Sequence, residues 1–336
     1  MGLVDPTAYT PYAVTVDTEE EWDWDGAYPT ERPGVENIAR LPELQAVCAR
    51  HGASVTYFVN YAVLADPVAR AVVLDLAARP GVEIGMHIHP WNTPPLTGSG
   101  PVRPRDTFLH NLPPAEARAK LEAVYDLFAR HGLRPTSFRG GRYSTGPAIQ
   151  DFLRDKGVVA DASILPFSSW PDDGAPDYRH RRLDPRRLPP RRPGDPPLWE
   201  IPLTLAYSRR PFGFWHRVHE LVAHSPLRHL RLIGVLDRLG VVRKSWLNVE
   251  TPLGQRPARF LRSLRRARPR TIDICLHSSS LIAGGNTFTR TPADRARVLA
   301  NLDEALGCLA QWPEFRPATV TEIATLLEEH HARSRN

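Results

Sequence analysis

Apolar, β-branched segments alternate along this chain with helical ones, and polar residues gather where the apolar segments end. That rhythm is the signature of parallel strands joined by crossover helices. Strands are expected at 12–17, 54–59, 82–88, 136–139, 158–161, 198–206 and 271–276, with a short one at 318–320. Helices are expected between them. One spans about 37–51 and stops at Gly52; another opens at Asp66-Pro67, a capping residue followed by a first-turn proline. Further helices are expected at 114–130, in the stretch closed by Gly157, from Pro292 to about 309, and from Thr321. About seven strand–helix units in 336 residues point to a (β/α) barrel, with a doubly wound sheet as the main rival.

One domain covering 1–336 is expected, interrupted by an insertion at 168–267 that carries an Arg/Pro loop, one strand and basic amphipathic helices. Much of the net charge of +6 comes from the Arg/Pro stretch at 178–197 and a basic segment at 262–270, so it says little about the core. Cys48, Cys275 and Cys308 lie far apart, which argues against a disulfide framework or a thiolate zinc site. No window has the roughly 20 apolar residues of a membrane span. The first residues lack the apolar run of a signal peptide, so a cytoplasmic location is expected.

The polar clusters fall at the C-terminal ends of the expected strands, the rim on which barrel active sites are built. They are Asp17 and Glu19; His87 and His89; Arg139 and Arg142; Asp161 and Ser163; and His277 with Ser278. Residues i and i+2 of a strand share a face, so Asp17 pairs with Glu19 and His87 with His89. Two imidazoles and a carboxylate suit a zinc-like site that keeps a position open for water. Each cluster alone also fits a structural role: a capping carboxylate, a hydrogen-bonded histidine, a paired arginine. Five on one rim are hard to ascribe to independent accidents.

The order of these motifs resembles the polysaccharide deacetylases of carbohydrate esterase family four, over nearly the whole chain. Thr15-Val16-Asp17-Thr18-Glu19 is similar to the family's first motif, Glu83-Ile84-Gly85-Met86-His87 to its second, and Phe138-Arg139 to its third. Asp161 with Ser163 and Leu276-His277 are similar to the fourth and fifth. The resemblance implies a distorted barrel of about seven strands and a metal-dependent deacetylase. Three positions depart from the family. Thr18 stands where a second aspartate ligates metal, Trp91 where a second histidine is usual, and Gly141 where proline is usual. We infer that Glu19 and His89 take over as ligands beside His87, as in a subgroup with Asp-x-Glu and His-x-His-Pro-Trp. Asp17 as ligand with Glu19 outside it stays open.

On this resemblance the cofactor is a divalent metal, zinc foremost, and the substrate an N-acetylated sugar or glycoconjugate. Asp17 would be the base, His277 the acid that protonates the leaving amine, and Arg139 the charge that keeps Asp17 ionised, with Asp161 orienting Arg139 or His277. Trp24, Trp91 and Arg142 are expected to contact substrate; Trp22 and Trp170 also lie near the motifs. Residues 178–197 hold seven arginines and six prolines, either a solvated loop or a clamp for an anionic substrate. Residues 212–239 mix apolar and basic side chains, either as packing over the barrel mouth or as a membrane-surface segment beside a lipid-linked substrate. Nucleic acid is not an expected partner. Two other functions fit the residues: hydrolysis of non-sugar amide or ureide bonds, and an inactive barrel that binds an anionic polymer.

Overall fold

The computed structural model describes residues 9–31, 33–96, 101–170, 174–224, 243–250 and 257–334. Strands β1 (Thr10–Thr18), β2 (Val55–Val59), β3 (Val82–Ile88), β4 (Ser137–Gly140) and β5 (Ala160–Asp161) pair in parallel in chain order. Strand β6 (Arg186–Arg187) runs antiparallel to β7 (Trp199–Glu200), and β7 is parallel to β5. At the other side β10 (Ile272–His277) pairs with β1. Seven parallel strands therefore run in the order β10-β1-β2-β3-β4-β5-β7. A short strand, β11 (Phe315–Pro317), pairs with the start of β1.

The sheet curls until its ends nearly meet. Past β7 the chain forms β8 (Leu205–Tyr207), which pairs with β9 (Lys244–Trp246). Leu247 N–H then bonds Thr204 O at 2.8 Å, and Cys275 N–H bonds Leu247 O at 3.1 Å, linking the far edge back to β10. The barrel expected from the alternation is the one observed, and β1 is buried from Pro11 onward, as a strand covered on both faces should be. The expected strand at 198–206 is split in two by the irregular turn between β7 and β8.

The connecting helices are α1 (Leu41–Arg50), α2 (Tyr61–Ala65), α3 (Pro67–Ala77), α4 (Pro114–Arg130) and α5 (Pro147–Asp155) in the first half. Helices α6 (Phe212–His224), α7 (Pro257–Ala267), α8 (Pro292–Ala310) and α9 (Val320–Arg333) follow. Asp66 caps α3 by accepting from Val68 and Ala69 N–H, with Pro67 in the first turn. The expected strand at 318–320 is not one. Thr319 instead caps α9 in a reciprocal box with Glu322, and that local hydrogen bonding outweighs the β-propensity of Thr and Val. None of the helices among the described residues is long and apolar enough to cross a membrane.

Glu83, at the start of β3, accepts from Thr56 Oγ1 at 3.0 Å, Ser137 Oγ at 2.6 Å and Thr321 Oγ1 and N–H at 2.6 and 3.1 Å. A carboxylate at the N-terminus of α9 is well placed against the helix dipole. The glutamate of the second motif thus ties α9 to the barrel floor, away from the rim. Two residues on, a Cβ at Gly85 would meet Ser137 Oγ at 2.6 Å and the Phe58 ring at 2.7 Å, so only glycine lets Phe58 pack there.

The arginines of 178–197 turn to the protein's own carboxylates. Arg181 and Arg186 meet Glu200; Arg187 forks onto Glu328 at 2.8 and 3.1 Å; Arg191 meets Asp151 and Arg192 meets Asp155, both at 2.7 Å. The stretch is a strap stapled across α5 and α9. Of the two expected readings, this pairing of most of its charges within the protein supports the solvated loop over the anionic-substrate clamp.

Candidate active site

Parallel register brings the five clusters to one rim. Asp17 lies opposite His277, His87 opposite Arg139, and Phe138 opposite Asp161. Just past β1 and β3, Glu19 and His89 turn inward beside His87, and all three side chains are buried. Their ligand atoms converge: Glu19 Oε2 lies 3.5 Å from His87 Nε2 and 3.1 Å from His89 Nε2, and the two Nε2 atoms are 3.1 Å apart. Ligands of a tetrahedral zinc at bond lengths near 2.0–2.1 Å sit about 3.3 Å from one another.

The outer partners fix what those atoms are. His87 Nδ1 lies 2.7 Å from Arg139 O, and His89 Nδ1 2.8 Å from Glu20 Oε1. Each Nδ1 is therefore a donor, which leaves each Nε2 turned toward the other and toward a carboxylate oxygen. A metal bound between these atoms would take both Nε2 lone pairs and the carboxylate. Without one, burial is outweighed by Glu20 and Glu19, which push His89 up to about 10, and its Nε2–H then reaches Glu19 at 3.1 Å. The donor set, its spacing and its tautomers all fit a divalent metal, and among the described residues this is the group of histidines and acids close enough to hold one.

Glu20, which the sequence reading passed over, is buried and accepts from Trp91 Nε1 at 3.2 Å and from Asn60 Nδ2. Trp91 is stacked on His89 with centroids 4.1 Å apart and is only 4% exposed. The expected substrate contact of Trp91 is thus corrected: its ring braces a ligand from behind. Gly141 serves the same histidine. A Cβ there would lie 2.5 Å from Ile88 O and closer still to His89 Cδ2. Glycine here, where the family this sequence resembles usually has proline, clears the room His89 occupies.

Beside the triad stand Asp17 and His277, with Asp17 Oδ2 3.8 Å from His277 Nε2. Arg139, fully buried, donates to Asp17 Oδ1 and Asp273 Oδ2 at 2.8 Å each, to Thr15 Oγ1 at 2.9 Å and to Ala162 O at 3.0 Å. Its guanidinium lies 4.5 Å from the Phe58 centroid. Burial alone would raise the Asp17 carboxyl, but the charges of Arg139, His87 and His277 outweigh it and hold Asp17 below the ordinary carboxylate range. For His277, burial disfavours the charge, yet Glu250 overcomes it and pushes the imidazole up to about 9.

Glu250 is the second residue the sequence reading missed. Its Oε2 lies 2.9 Å from His277 Nδ1 and 2.8 Å from Asn248 Nδ2, while its Oε1 accepts from His277 N–H at 2.8 Å and from Ser280 Oγ. Asp161 takes no part in this: its carboxylate accepts from Thr145 Oγ1 and from Ser163 N–H and Oγ. Ser163 Oγ in turn lies 2.9 Å from Gly140 N. The orienting roles expected of Asp161 fall to Asp273 for Arg139 and to Glu250 for His277, because Asp161 sits one strand farther round. A signal for Asp273 was present in the sequence, as Ile-Asp-Ile-Cys-Leu-His places it and His277 on one face of β10.

These groups open into a cleft of about 480 Å³. Its walls are largely aromatic and include Trp22, Trp24, Tyr28, Tyr143, Trp170 and Trp246. Trp24 sets its face edgewise to His277 at 4.7 Å, where a substrate contact was expected. Arg142 also lines the cleft; it donates to Thr107 Oγ1 at 2.6 Å and Tyr28 OH at 3.2 Å and lies 4.1 Å from the Phe108 centroid. Arg142 and Tyr143 both adopt left-handed backbone, with φ of 52° and 62°, which stores strain at the rim.

No protein-family model matches the sequence, and no curated protein does. Solved structures do resemble the fold. One from Mycobacterium smegmatis, described provisionally as a polysaccharide deacetylase, matches 98% of this chain and 94% of its own at 15% identity, with a TM-score of 0.57. One from Parabacteroides distasonis, described provisionally as a glycoside hydrolase/deacetylase, matches 96% and 71% at 12% identity and TM-score 0.57. The PuuE allantoinase matches 98% and 95% at 17% identity and TM-score 0.53. In backbone architecture, then, this chain has the fold of these deacetylase structures, a curled parallel barrel with its polar clusters on one rim.

Proposed function

We propose that the protein is a metal-dependent hydrolase of an amide C–N bond that removes an acetyl group from an N-acetylated sugar or glycoconjugate. The carrying observation is the convergence of Glu19, His87 and His89 with Asp17 and His277 in one aromatic-walled cleft. Glu19, His87 and His89 would hold the ion, and their two-nitrogen, one-oxygen set suits zinc. Bound there, a divalent ion supplies Lewis acidity, making water a nucleophile near neutral pH and polarising an amide carbonyl.

The chain's own groups do the proton work. Asp17, held ionised by Arg139, takes a proton from the attacking water at Oδ2, the oxygen that Arg139 leaves free. His277, charged through Glu250, delivers a proton from Nε2 to the leaving nitrogen. Without it the amide cannot expel an amine. The aromatic walls offer indole and phenol faces to the apolar face of a sugar ring and keep bulk water from the site.

A second reading, hydrolysis of a ureide or other non-sugar amide, is favoured by the likeness to an allantoinase over almost the full length of both chains. Metal content measured beside acetate release from a panel of N-acetylhexosamine derivatives tests the first reading. Formation of a new carboxylate on hydrolysis of small cyclic and linear ureides tests the second. His87→Ala should remove both metal and activity; full turnover by metal-free protein would refute the metal-dependent mechanism.

A further inference from the structure

Helix α6 has two apolar faces. Phe212, Trp215 and His216 turn inward: His216 Nδ1 lies 3.0 Å from Tyr207 OH, and Phe212 and Trp215 pack on the cluster of Leu165, Leu205 and Tyr207 that backs the cleft wall. At about 100° per residue, Phe214, Arg217, Val218 and Leu221 form the opposite stripe within an arc of about 100°. Phe214 is 55% exposed and Leu221 72% exposed, seven residues apart on that stripe. Single exposed apolar residues are ordinary, but two large ones aligned on the outer face of a helix already packed on its inner face are not.

The surrounding charge says what covers them. Arg209 and Arg210 precede α6 and Arg217 lies on the stripe; all three are exposed and none meets a carboxylate among the described residues. Ser263 Oγ on α7 bonds Ser208 O at 2.9 Å, so the basic face of α7 adjoins the same corner. There Arg259, Arg262 and Arg266 are exposed and equally unmatched among the described residues, while Phe260, Leu261 and Leu264 face inward. Two apolar anchors in a rim of arginines with no acid on the stripe match an anionic bilayer surface. The rings and alkyl chains enter the acyl boundary and the guanidinium groups stay at the phosphates.

We propose that α6 seats this protein on anionic membrane surfaces through Phe214 and Leu221, with Arg209, Arg210 and Arg217 on the headgroups. The seating is independent of the chemistry proposed above. It would hold the wall of the cleft near the bilayer, where an amphiphilic substrate is presented.

Flotation of the intact protein with phosphatidylcholine vesicles, with and without about 30% phosphatidylglycerol, tests it. Expected is binding to the anionic vesicles that rising salt weakens. Phe214→Ser/Leu221→Ser and Arg209→Glu/Arg210→Glu should each reduce it about tenfold or more. A Phe214→Trp variant gives a readout free of folding loss: its extra fluorescence should be quenched by lipids brominated on the acyl chain. The proposal is overturned by the absence of flotation at low salt, by flotation that both double substitutions leave intact, or by extra fluorescence in the Phe214→Trp variant that brominated lipid does not quench. Binding to duplex DNA with none to vesicles would also overturn it.

Discussion

Replacing Glu250 with Gln should move the alkaline limb of activity while leaving activity near pH 6 largely in place. His277 has an ordinary imidazole value of 6.5 and is pushed up to about 9 in the fold, chiefly by the Glu250 charge against the opposing effect of burial. A general acid works only in its protonated form. At pH 8 a group titrating at 9 is about nine-tenths protonated. Without Glu250, burial lowers the value while Glu19 and Asp17 raise it; if these balance at the ordinary 6.5, about one-thirtieth stays protonated, a loss of about 30-fold for Glu250→Gln. At pH 6 the two fractions differ by only about 1.3-fold. Gln also sets an amide N–H₂ against groups that all donate to Glu250, so some activity and stability will be lost at every pH. The ratio between pH 8 and pH 6 is insensitive to that loss. The measurement is kcat/KM against pH for both proteins on one amide substrate. Equal losses at pH 6 and pH 8 would refute the assignment of Glu250 as the residue that keeps His277 charged. By linkage, a raised His277 pKa adds stability that is fully present below about 6.5 and gone above about 9, so the variant's melting deficit should shrink across that window.

Arg139→Met should destabilise the fold by about 3–5 kcal/mol in denaturant unfolding, since it leaves Asp17 and Asp273 buried without their cation. Gly141→Ala should weaken metal binding by about 10–100-fold and also lower the melting temperature, because the added methyl meets both the His89 ring and the Ile88 carbonyl. Competitive chelator titration reads the first effect and calorimetry the second. Arg187→Ala should cost no more than about 1 kcal/mol and leave turnover unchanged, as its pairing with Glu328 is partly solvent-exposed.

Much of the fold was legible because parallel β/α units leave a periodic trace, with capping residues and glycines marking most helix ends. The strand expected at 318–320 failed where a Thr319–Glu322 capping box was read as β-branched propensity. At the site, Asp17, His87, Arg139 and His277 reach the rim because strand alternation fixes which residues share a face, and Glu19 and His89, one residue past their strands, still follow that alternation. Glu20, Glu250 and Asp273 were not read from the sequence for different reasons. Glu20 follows the end of β1, so alternation no longer applies to it, and Asp273 hides inside an apolar strand. Glu250 comes from a stretch whose composition resembles an appendage. Trp91 shows the converse limit: its neighbours identify the site, but only packing reveals that the ring faces a ligand and not the cleft.

The path from β8 out to α6 and back through β9 bears on how far this protein can be shortened. By composition the stretch between Tyr207 and Ala267 looks like a removable appendage, and a designer seeking a minimal catalyst would cut it first. Yet Leu247 bridges the two edges of the sheet, and three residues later the same excursion delivers the Glu250 carboxylate that holds His277. Excision would leave an unsealed barrel and His277 without its carboxylate partner, so any trimming has to spare the return leg at 244–250.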